Sequence, residues 1–274
     1  MIYLLLSVFC SVLIANMIRW SGLKNLRTLP VMCSNYILAA VFSLAIFLYL
    51  PHHQTQGNEW LFGAFSSLLF VYGFFCYFQS VKMAGITIAV SAMRLSVAVP
   101  VICGFFMFSE PLTAYRITGL ILMSAAVFKL GRLTGMKLGM KSSLMLAALF
   151  LIIGTSDVVS KVFTQSGGNR YLYLTAVFGF AFLLTLIHIK AAGMSISPAE
   201  IRFGLLLGLP NQASSLFLLL ALRTVDSVVA FPTTGLGILA GSVLSDVLIW
   251  KEPLTKDKIF TLLLAGPAIW LLNM

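Results

Sequence analysis

The chain has 274 residues, of which 60% are hydrophobic and only 9% are charged, and its formal net charge is +10 at pH 7. A soluble domain of this length would carry about a quarter charged residues, so the composition excludes an ordinary water-soluble protein. The basic balance does not indicate nucleic-acid binding, because the aromatic residues lie in the apolar stretches and the basic residues lie in the short connections.

Ten apolar stretches, separated by polar or Pro/Gly-rich breaks, follow one another along the chain. Each is about 16–23 residues long, enough to cross a hydrocarbon core of ~30 Å. They have no polar stripe, and helices that are apolar on every face in a chain of this size lie in lipid. The sequence therefore predicts an all-α polytopic membrane protein. The predicted spans are 2–18, 31–50, 60–81, 86–108, 113–131, 142–163, 171–189, 201–222, 228–250 and 258–273.

The basic residues are distributed unequally between the two sets of connections. The odd-numbered connections hold 13 Lys and Arg residues, and the even-numbered ones hold four. Because basic residues stay on the cytoplasmic side, the odd connections are predicted to be cytoplasmic. We therefore expect a multi-pass protein of the cell (inner) membrane with both termini outside.

A four-residue word, Glu-Pro-Leu-Thr, occurs at Glu110–Thr113 and again 142 positions later at Glu252–Thr255. A second match, at an offset of 136, gives six identities in fourteen between NYILAAVFSLAIFL and YLYLTAVFGFAFLL. These matches predict a duplication, with one five-helix repeat in 1–137 and the other in 138–274. Because five is odd, the second copy must enter the membrane from the opposite side, which gives two inverted repeats.

The repeated word itself is interpreted as a structural corner. Proline ends one helix, and threonine can cap the next. The glutamate lies just before a helix N-terminus, where negative charge is favoured. Direct contact of this glutamate with a substrate is the alternative.

With these features the chain resembles the EamA-like branch of the drug/metabolite transporter superfamily over nearly its whole length. The resemblance implies a central cavity lined by the first four spans of each repeat, and movement of small metabolites, often outward. Ser242 stands where Pro100 would repeat, and Thr261 stands where Gly119 would. Many such relatives are thought to keep both termini in the cytoplasm, whereas the charge distribution here places them outside.

Three charged residues lie inside predicted spans, where an ionisable group is a functional candidate. Measured from the predicted cytoplasmic end of each span, Arg94 lies about 12 Å deep, Asp157 about 22 Å and Asp246 about 6 Å. Arg94 is predicted to bind an anionic group and could pair with either aspartate, Asp246 being nearer in depth. Both aspartates are coupling candidates. The alternatives are a surface pair of Asp157 with Lys161, an interfacial position of Asp246 beside Lys251, and snorkelling of Arg94.

Uncharged polar residues form a second set of candidates for substrate binding. Pro210 is predicted to break span eight and expose polar groups to a cavity. Ser91 and Thr233 are equivalent in the repeat, as are Asn16 and Asp157. The alternative is that these groups join helices. The candidate set is Asn16, Ser91, Asn211, Gln212, Thr233 and Thr234.

The favoured hypothesis is a secondary transporter of a small polar or amphipathic metabolite, working by alternating access of the repeats, with export as the favoured direction. The alternatives are an intramembrane enzyme, for which no nucleophile–base set is found, and a membrane subunit that serves a partner protein. No nucleotide-binding Gly-Lys loop is present, and no cofactor or metal is predicted. The predicted partners are a small-molecule substrate and the lipid bilayer, and a homodimer stays possible.

Overall fold

The computed structural model describes residues 1–50, 55–131 and 139–274, and within these ranges the regular secondary structure is entirely helical. All ten predicted spans are confirmed as helical, the fourth being divided into two helices. The predicted repeat boundary at 137/138 lies outside the described residues, as does His52–His53, a histidine pair in a polar connection for which metal binding is the less favoured interpretation. The helices are α1 (Ile2–Leu23), α2 (Thr28–Tyr49), α3 (Glu59–Ala84), α4 (Ile86–Leu95), α5 (Ala98–Phe108), α6 (Ala114–Gly131), α7 (Met140–Ser166), α8 (Arg170–Ala191), α9 (Pro198–Leu222), α10 (Ser227–Leu248) and α11 (Lys256–Leu272).

The helices have the length and composition of membrane spans. Within the described ranges, eight helical stretches of at least 18 residues are apolar enough to cross a bilayer, and Ile88–Phe108 joins α4 and α5 into one of them. The segments Ala114–Val127 and Lys258–Leu272 are apolar but shorter. The chain is therefore a multi-pass membrane protein.

Two prolines inside predicted spans have different effects: the helix is interrupted before Pro100 but continues through Pro210. Pro100 has no N–H to donate to the Ser96 carbonyl, which instead accepts from Val99 N at 2.9 Å, and the chain turns between α4 and α5. In α10, Ser242 occupies the corresponding position, and that helix is continuous. The predicted break at Pro210 is wrong, because α9 runs through this residue without interruption.

The helices pack as two compact units. The first unit comprises Met1, Tyr72–Val158 and Thr224–Met274, and the second comprises Ile2–Val71 and Val159–Arg223. Helices α3 and α7 each contribute one part to either unit. In the second unit α2 packs against α8 and α9, and α1 packs against α9. In the first unit α6 packs against α11.

Two glycines of the second unit bring helices close together in matching ways. A Cβ on Gly63 of α3 would meet α8, 3.1 Å from the Tyr173 carbonyl oxygen and 3.1 Å from Val177 N. A Cβ on Gly204 of α9 would meet α2, where its neighbours are the Val31 carbonyl oxygen, Ser34 Cβ and Asn35 N. The two glycines are related by an offset of 141, and each neighbour on α8 is related to its counterpart on α2 by an offset of 142.

Aromatic pairs of the second unit repeat in nearly the same register. The rings of Phe62 and Phe163 lie 5.9 Å apart, and those of Phe203 and Trp20 also lie 5.9 Å apart. Tyr36 stacks at 6.3 Å on Phe178, and these two residues are related by the offset of 142.

These matching contacts fall at a different offset from the 136 that aligns spans two and seven in the sequence. The residues of α2 and α8 that make similar contacts are 142 positions apart, which is also the offset of the repeated Glu-Pro-Leu-Thr word. Both stretches are drawn from the same few apolar residue types, so identities at more than one offset arise easily.

The Glu-Pro-Leu-Thr word forms the same corner twice in the first unit. Thr113 and Thr255 each accept a hydrogen bond at 3.3 Å from the backbone N–H three residues later, at Arg116 and Lys258. The residues before the two glutamates, Ser109 and Lys251, both have a φ of 53°. The predicted threonine caps are thus confirmed.

Glu110 caps a helix distant in sequence rather than the one that follows it. Its Oε1 accepts from Ser227 N at 2.9 Å, and its Oε2 accepts from Ser227 Oγ at 2.5 Å and from Val228 N at 3.0 Å. These groups form the N-terminus of α10, where a carboxylate also interacts favourably with the helix dipole. Glu252 instead pairs at 2.7 Å with Lys258 Nζ.

Glu110→Ala is expected to lower the free energy of unfolding by about 3 kcal/mol, because three buried donors lose a charged acceptor. Glu252→Ala is the matched control and should cost less than about 1 kcal/mol, since this side chain is 36% exposed. Thermal or denaturant unfolding in detergent measures both losses. Equal losses at the two positions would contradict the assignment of the α10 cap to Glu110.

Candidate functional site

A charged cluster forms in the first unit, where α7 passes the break between α4 and α5. Gly154 allows this approach, because a Cβ there would lie 2.5 Å from Val99 Cβ and 2.8 Å from the Ser96 carbonyl oxygen. Arg94 lies two residues before Ser96, and Asp157 lies one helical turn after Gly154. The close packing therefore brings Arg94 and Asp157 near the same helix contact.

Arg94 interacts electrostatically with Asp157 of α7 and with Tyr77 of α3. Its Nε is buried and has no hydrogen-bond partner within the ranges that the structure describes. A guanidinium presents five N–H donors in a planar fork that matches carboxylate and phosphate groups. The cluster can therefore accept an anionic group at Arg94 while Asp157 supplies a nearby titratable carboxyl group.

The structure distinguishes between the two aspartates that the sequence offered as partners of Arg94. Asp157 lies within electrostatic range of Arg94, whereas the Asp246 carboxylate forms a salt bridge at 3.5 Å with Lys258 Nζ. Lys258 belongs to the Glu-Pro-Leu-Thr corner, where it also binds Glu252. Lys258 is thus a basic partner of Asp246, whereas the interfacial alternative had named Lys251.

The other polar candidates of the first unit lie on α4 and α10. Ser91 is partly buried one turn before Arg94. Thr233 is buried and accepts from Asn273 Nδ2 at 3.4 Å, and Thr234 Oγ1 donates to the Ala230 carbonyl at 2.8 Å. The hydroxyl of Thr233 therefore joins α10 to the end of α11.

The remaining candidates lie in the second unit. Asn211 Nδ2 donates to Asn35 Oδ1 at 3.2 Å, and buried Gln212 donates from Nε2 to Ser43 Oγ at 3.3 Å. Both amides thus join α9 to α2. Asn16 Nδ2 donates to the Val12 carbonyl of its own helix at 2.8 Å.

Several polar groups of these networks were missed by the sequence reading. Ser7 and Ser11, one turn apart on α1, both bond Ser214 of α9, and Ser11 Oγ lies 2.7 Å from Ser214 Oγ. Their spacing of four residues in an apolar stretch is the signal that could have identified them. Tyr77, the third member of the Arg94 cluster, has no comparable signal, because tyrosine is common in membrane spans.

Comparison with known proteins finds a family model that is similar to the first part of the chain. The family model described as the EamA-like transporter family matches residues 1–131. An uncharacterized protein of Haemophilus influenzae (strain ATCC 51907 / DSM 11121 / KW20 / Rd) is 25% identical over 269 residues, covering 92% of this chain and 91% of that protein. A crystal structure of a protein superposes with a TM-score of 0.79 at 15% identity, covering 98% of this chain and 95% of the other. The last likeness shows a shared fold.

Proposed function

We propose, from the match of residues 1–131 to the EamA-like transporter family, that the protein is a secondary transporter of a small polar or amphipathic metabolite. In this proposal the protein alternates between two states by exchanging the conformations of two inverted five-helix repeats. Export is the proposed direction, following the family resemblance. The protein is proposed to lie in the cell (inner) membrane with both termini outside, as the Lys and Arg distribution indicates.

The observation that carries the inverted-repeat proposal is the exchange of partners between the two halves. Gly63 of the first half contacts α8 of the second half, and Gly204 of the second half contacts α2 of the first. Such reciprocal contacts are expected when two copies are related by a two-fold axis, because the same surface of each copy then faces the other. Tyr36 and Phe178, which are equivalent and stack on one another, lie where such an axis would pass.

The Arg94 cluster supports an anionic group on the metabolite. A buried guanidinium nitrogen without a protein partner is costly, and an anionic ligand would satisfy it. Ser91, one helical turn before Arg94 on α4, and Thr233 and Thr234 of α10 are proposed as additional ligand contacts. Asn16, Asn211 and Gln212 of the second unit are retained as proposed binding residues on the strength of the sequence alone.

Asp157 is the proposed coupling residue, because a carboxyl group beside Arg94 changes the charge of the cluster when it gains or loses a proton. Asp246 is the less favoured candidate, because its carboxylate is already paired with Lys258. Metabolite profiling of a deletion strain and an overexpressing strain, in cells and medium, tests the function itself. Unchanged profiles in both strains would contradict metabolite transport.

Asp157→Asn is expected to abolish the dependence of flux on a pH gradient in proteoliposomes, because the amide cannot exchange a proton. Flux driven by the metabolite gradient alone should persist. Asp246→Asn is the matched control and should retain the pH-gradient dependence. If the Asp157→Asn protein still responds to the gradient like the wild type, Asp157 does not carry the coupling proton.

A further inference from the structure

Two buried glutamates of the second unit hold equivalent positions at the N-termini of their helices. Glu59 is the first residue of α3, and Glu200 lies in the first turn of α9. The two glutamates are 141 positions apart, the same offset that relates Gly63 and Gly204. Each accepts a hydrogen bond from the backbone N–H three residues before it, at Gln56 and Ser197. Each also accepts a backbone N–H bond from the residue that precedes a helix of the other half.

The Glu200 site contains its own cation. Arg27, which precedes α2, donates from N at 3.1 Å and from Nε at 2.8 Å to Glu200 Oε1. Its Nη2 donates to Oε2 at 2.9 Å, and Oε2 also accepts from Ser197 N at 2.7 Å. Both oxygens of this carboxylate are therefore satisfied, and its charge is neutralised by a guanidinium.

At the Glu59 site the equivalent backbone N–H groups both donate to Oε1, and the neighbouring side chain is different. Asn169, which precedes α8, donates from N at 2.9 Å to Glu59 Oε1. Its side chain turns the other way, because Oδ1 accepts from Tyr171 N and Leu172 N and so caps α8. Asparagine is also uncharged, so it supplies no counterpart to the guanidinium of Arg27.

Two buried oxygen atoms at this site lack a protein partner. Glu59 is 0% exposed, yet its Oε2 accepts no hydrogen bond from any residue that the structure describes. The same is true of Asn58 Oδ1, which lies 3.3 Å from where a Cβ on Gly168 would stand. Gly168 directly precedes Asn169, so the carboxylate and the amide oxygen both lie against the same short segment.

We infer that Glu59 Oε2 and Asn58 Oδ1 bind a monovalent cation, Na⁺, in the place that the Arg27 guanidinium takes at the equivalent site. A buried carboxylate with no counter-charge is unfavourable, and a cation removes this cost. Carboxylate and amide oxygens are suitable ligands for a hard cation. The single negative charge matches a monovalent ion. This inference depends on the geometry of the second unit and not on the proposed transport function.

The test measures thermal unfolding of the full chain in detergent, with NaCl replaced by N-methyl-D-glucamine chloride at constant ionic strength. Wild-type protein is expected to unfold about 3 °C higher in Na⁺, because a ligand that binds only the folded state stabilises it. Glu59→Gln should abolish this rise, and Asn58→Ala should reduce it. Glu200→Gln is the matched control, which should unfold at a lower temperature but keep the full rise with Na⁺.

Asn169→Arg provides a second test if Glu59→Gln does not fold. This substitution recreates the arrangement at Glu200, so the new guanidinium should replace Na⁺ and remove the Na⁺-dependent rise. Three outcomes would overturn the inference. The unfolding temperature of the wild type could be the same in both salts, or Glu59→Gln or Asn169→Arg could keep the full rise with Na⁺. The unfolding temperature could also change with pH, in a way that depends on Glu59, but not with Na⁺. The last outcome would identify a proton as the bound cation.

Discussion

Gly204→Leu is expected to prevent recovery of folded protein from the membrane, and even Gly204→Ala should lower the free energy of unfolding by about 3 kcal/mol. A Cβ at this position would lie 2.6 Å from Ser34 Cβ and 3.1 Å from Asn35 N of α2. The obstacles include the backbone of the neighbouring helix, which cannot move aside as a flexible side chain could. Fluorescence-detected size-exclusion chromatography and thermal unfolding in detergent measure the yield and the loss of stability.

The equivalent substitutions at Gly63 test whether the two halves use the same contact. Gly63→Ala should cost about as much as Gly204→Ala, because its neighbours on α8 correspond to those of Gly204 on α2. Gly179→Ala is the matched control within a helix of the same unit, since a Cβ there would meet nothing within 4 Å, and it should leave stability unchanged or slightly higher. A small effect at Gly204 together with a large one at Gly63 would contradict the reciprocal packing.

The existence and position of the helices could be predicted from the sequence because lipid imposes a simple rule. A span must be apolar over its full length, so each span is visible as an uninterrupted apolar stretch. The ends were less well predicted: α3 continues to Ala84 and α7 to Ser166, beyond the predicted spans. Helical hydrogen bonding continues past the point where the sequence becomes polar.

The effect of each proline could not be read from its presence alone. Pro100 divides its span, whereas α9 continues through Pro210 and α10 through Pro232. In every case proline removes one backbone donor, but whether the chain turns depends on how neighbouring helices pack around the freed carbonyl. At Pro100 this neighbour is Gly154 of α7, which is distant in sequence.

The members of the charged cluster were predicted from their cost in lipid, but their pairing was not. Depth along a span favoured Asp246 as the partner of Arg94, and the structure instead brings Asp157 to it. Depth gives only one coordinate, and the close approach of α7 at Gly154 decides the lateral position. The proposed cation site at Glu59 could not be predicted from the sequence for a related reason. It is recognised only when the surroundings of Glu59 are compared in three dimensions with those of Glu200, which binds Arg27.

Arg94→Ala is expected to raise the apparent KM for an anionic metabolite about 100-fold, while the KM for its neutral amide changes little. This magnitude corresponds to losing about 2.7 kcal/mol from charge-assisted hydrogen bonds to a partly desolvated group. Arg94→Lys keeps the charge but loses the planar fork, so an increase of about 10-fold is expected. Initial rates of uptake into proteoliposomes, measured with both forms of the metabolite found by profiling, give the KM values.

The matched control for this substitution is Arg116→Ala, which removes an arginine from the same unit. Arg116 Nη1 donates to Asp226 Oδ2 at 2.9 Å and to the Pro111 carbonyl at 2.8 Å, so its loss should lower thermal stability without changing the preference between the two metabolite forms. Equal increases in KM for the anionic and neutral forms in Arg94→Ala would show that Arg94 holds the helices rather than the cargo. The Nε of both arginines lacks a hydrogen-bond partner within the described ranges, but Nη1 of Arg116 is held by Asp226 and by the Pro111 carbonyl, so a selective loss is expected at Arg94.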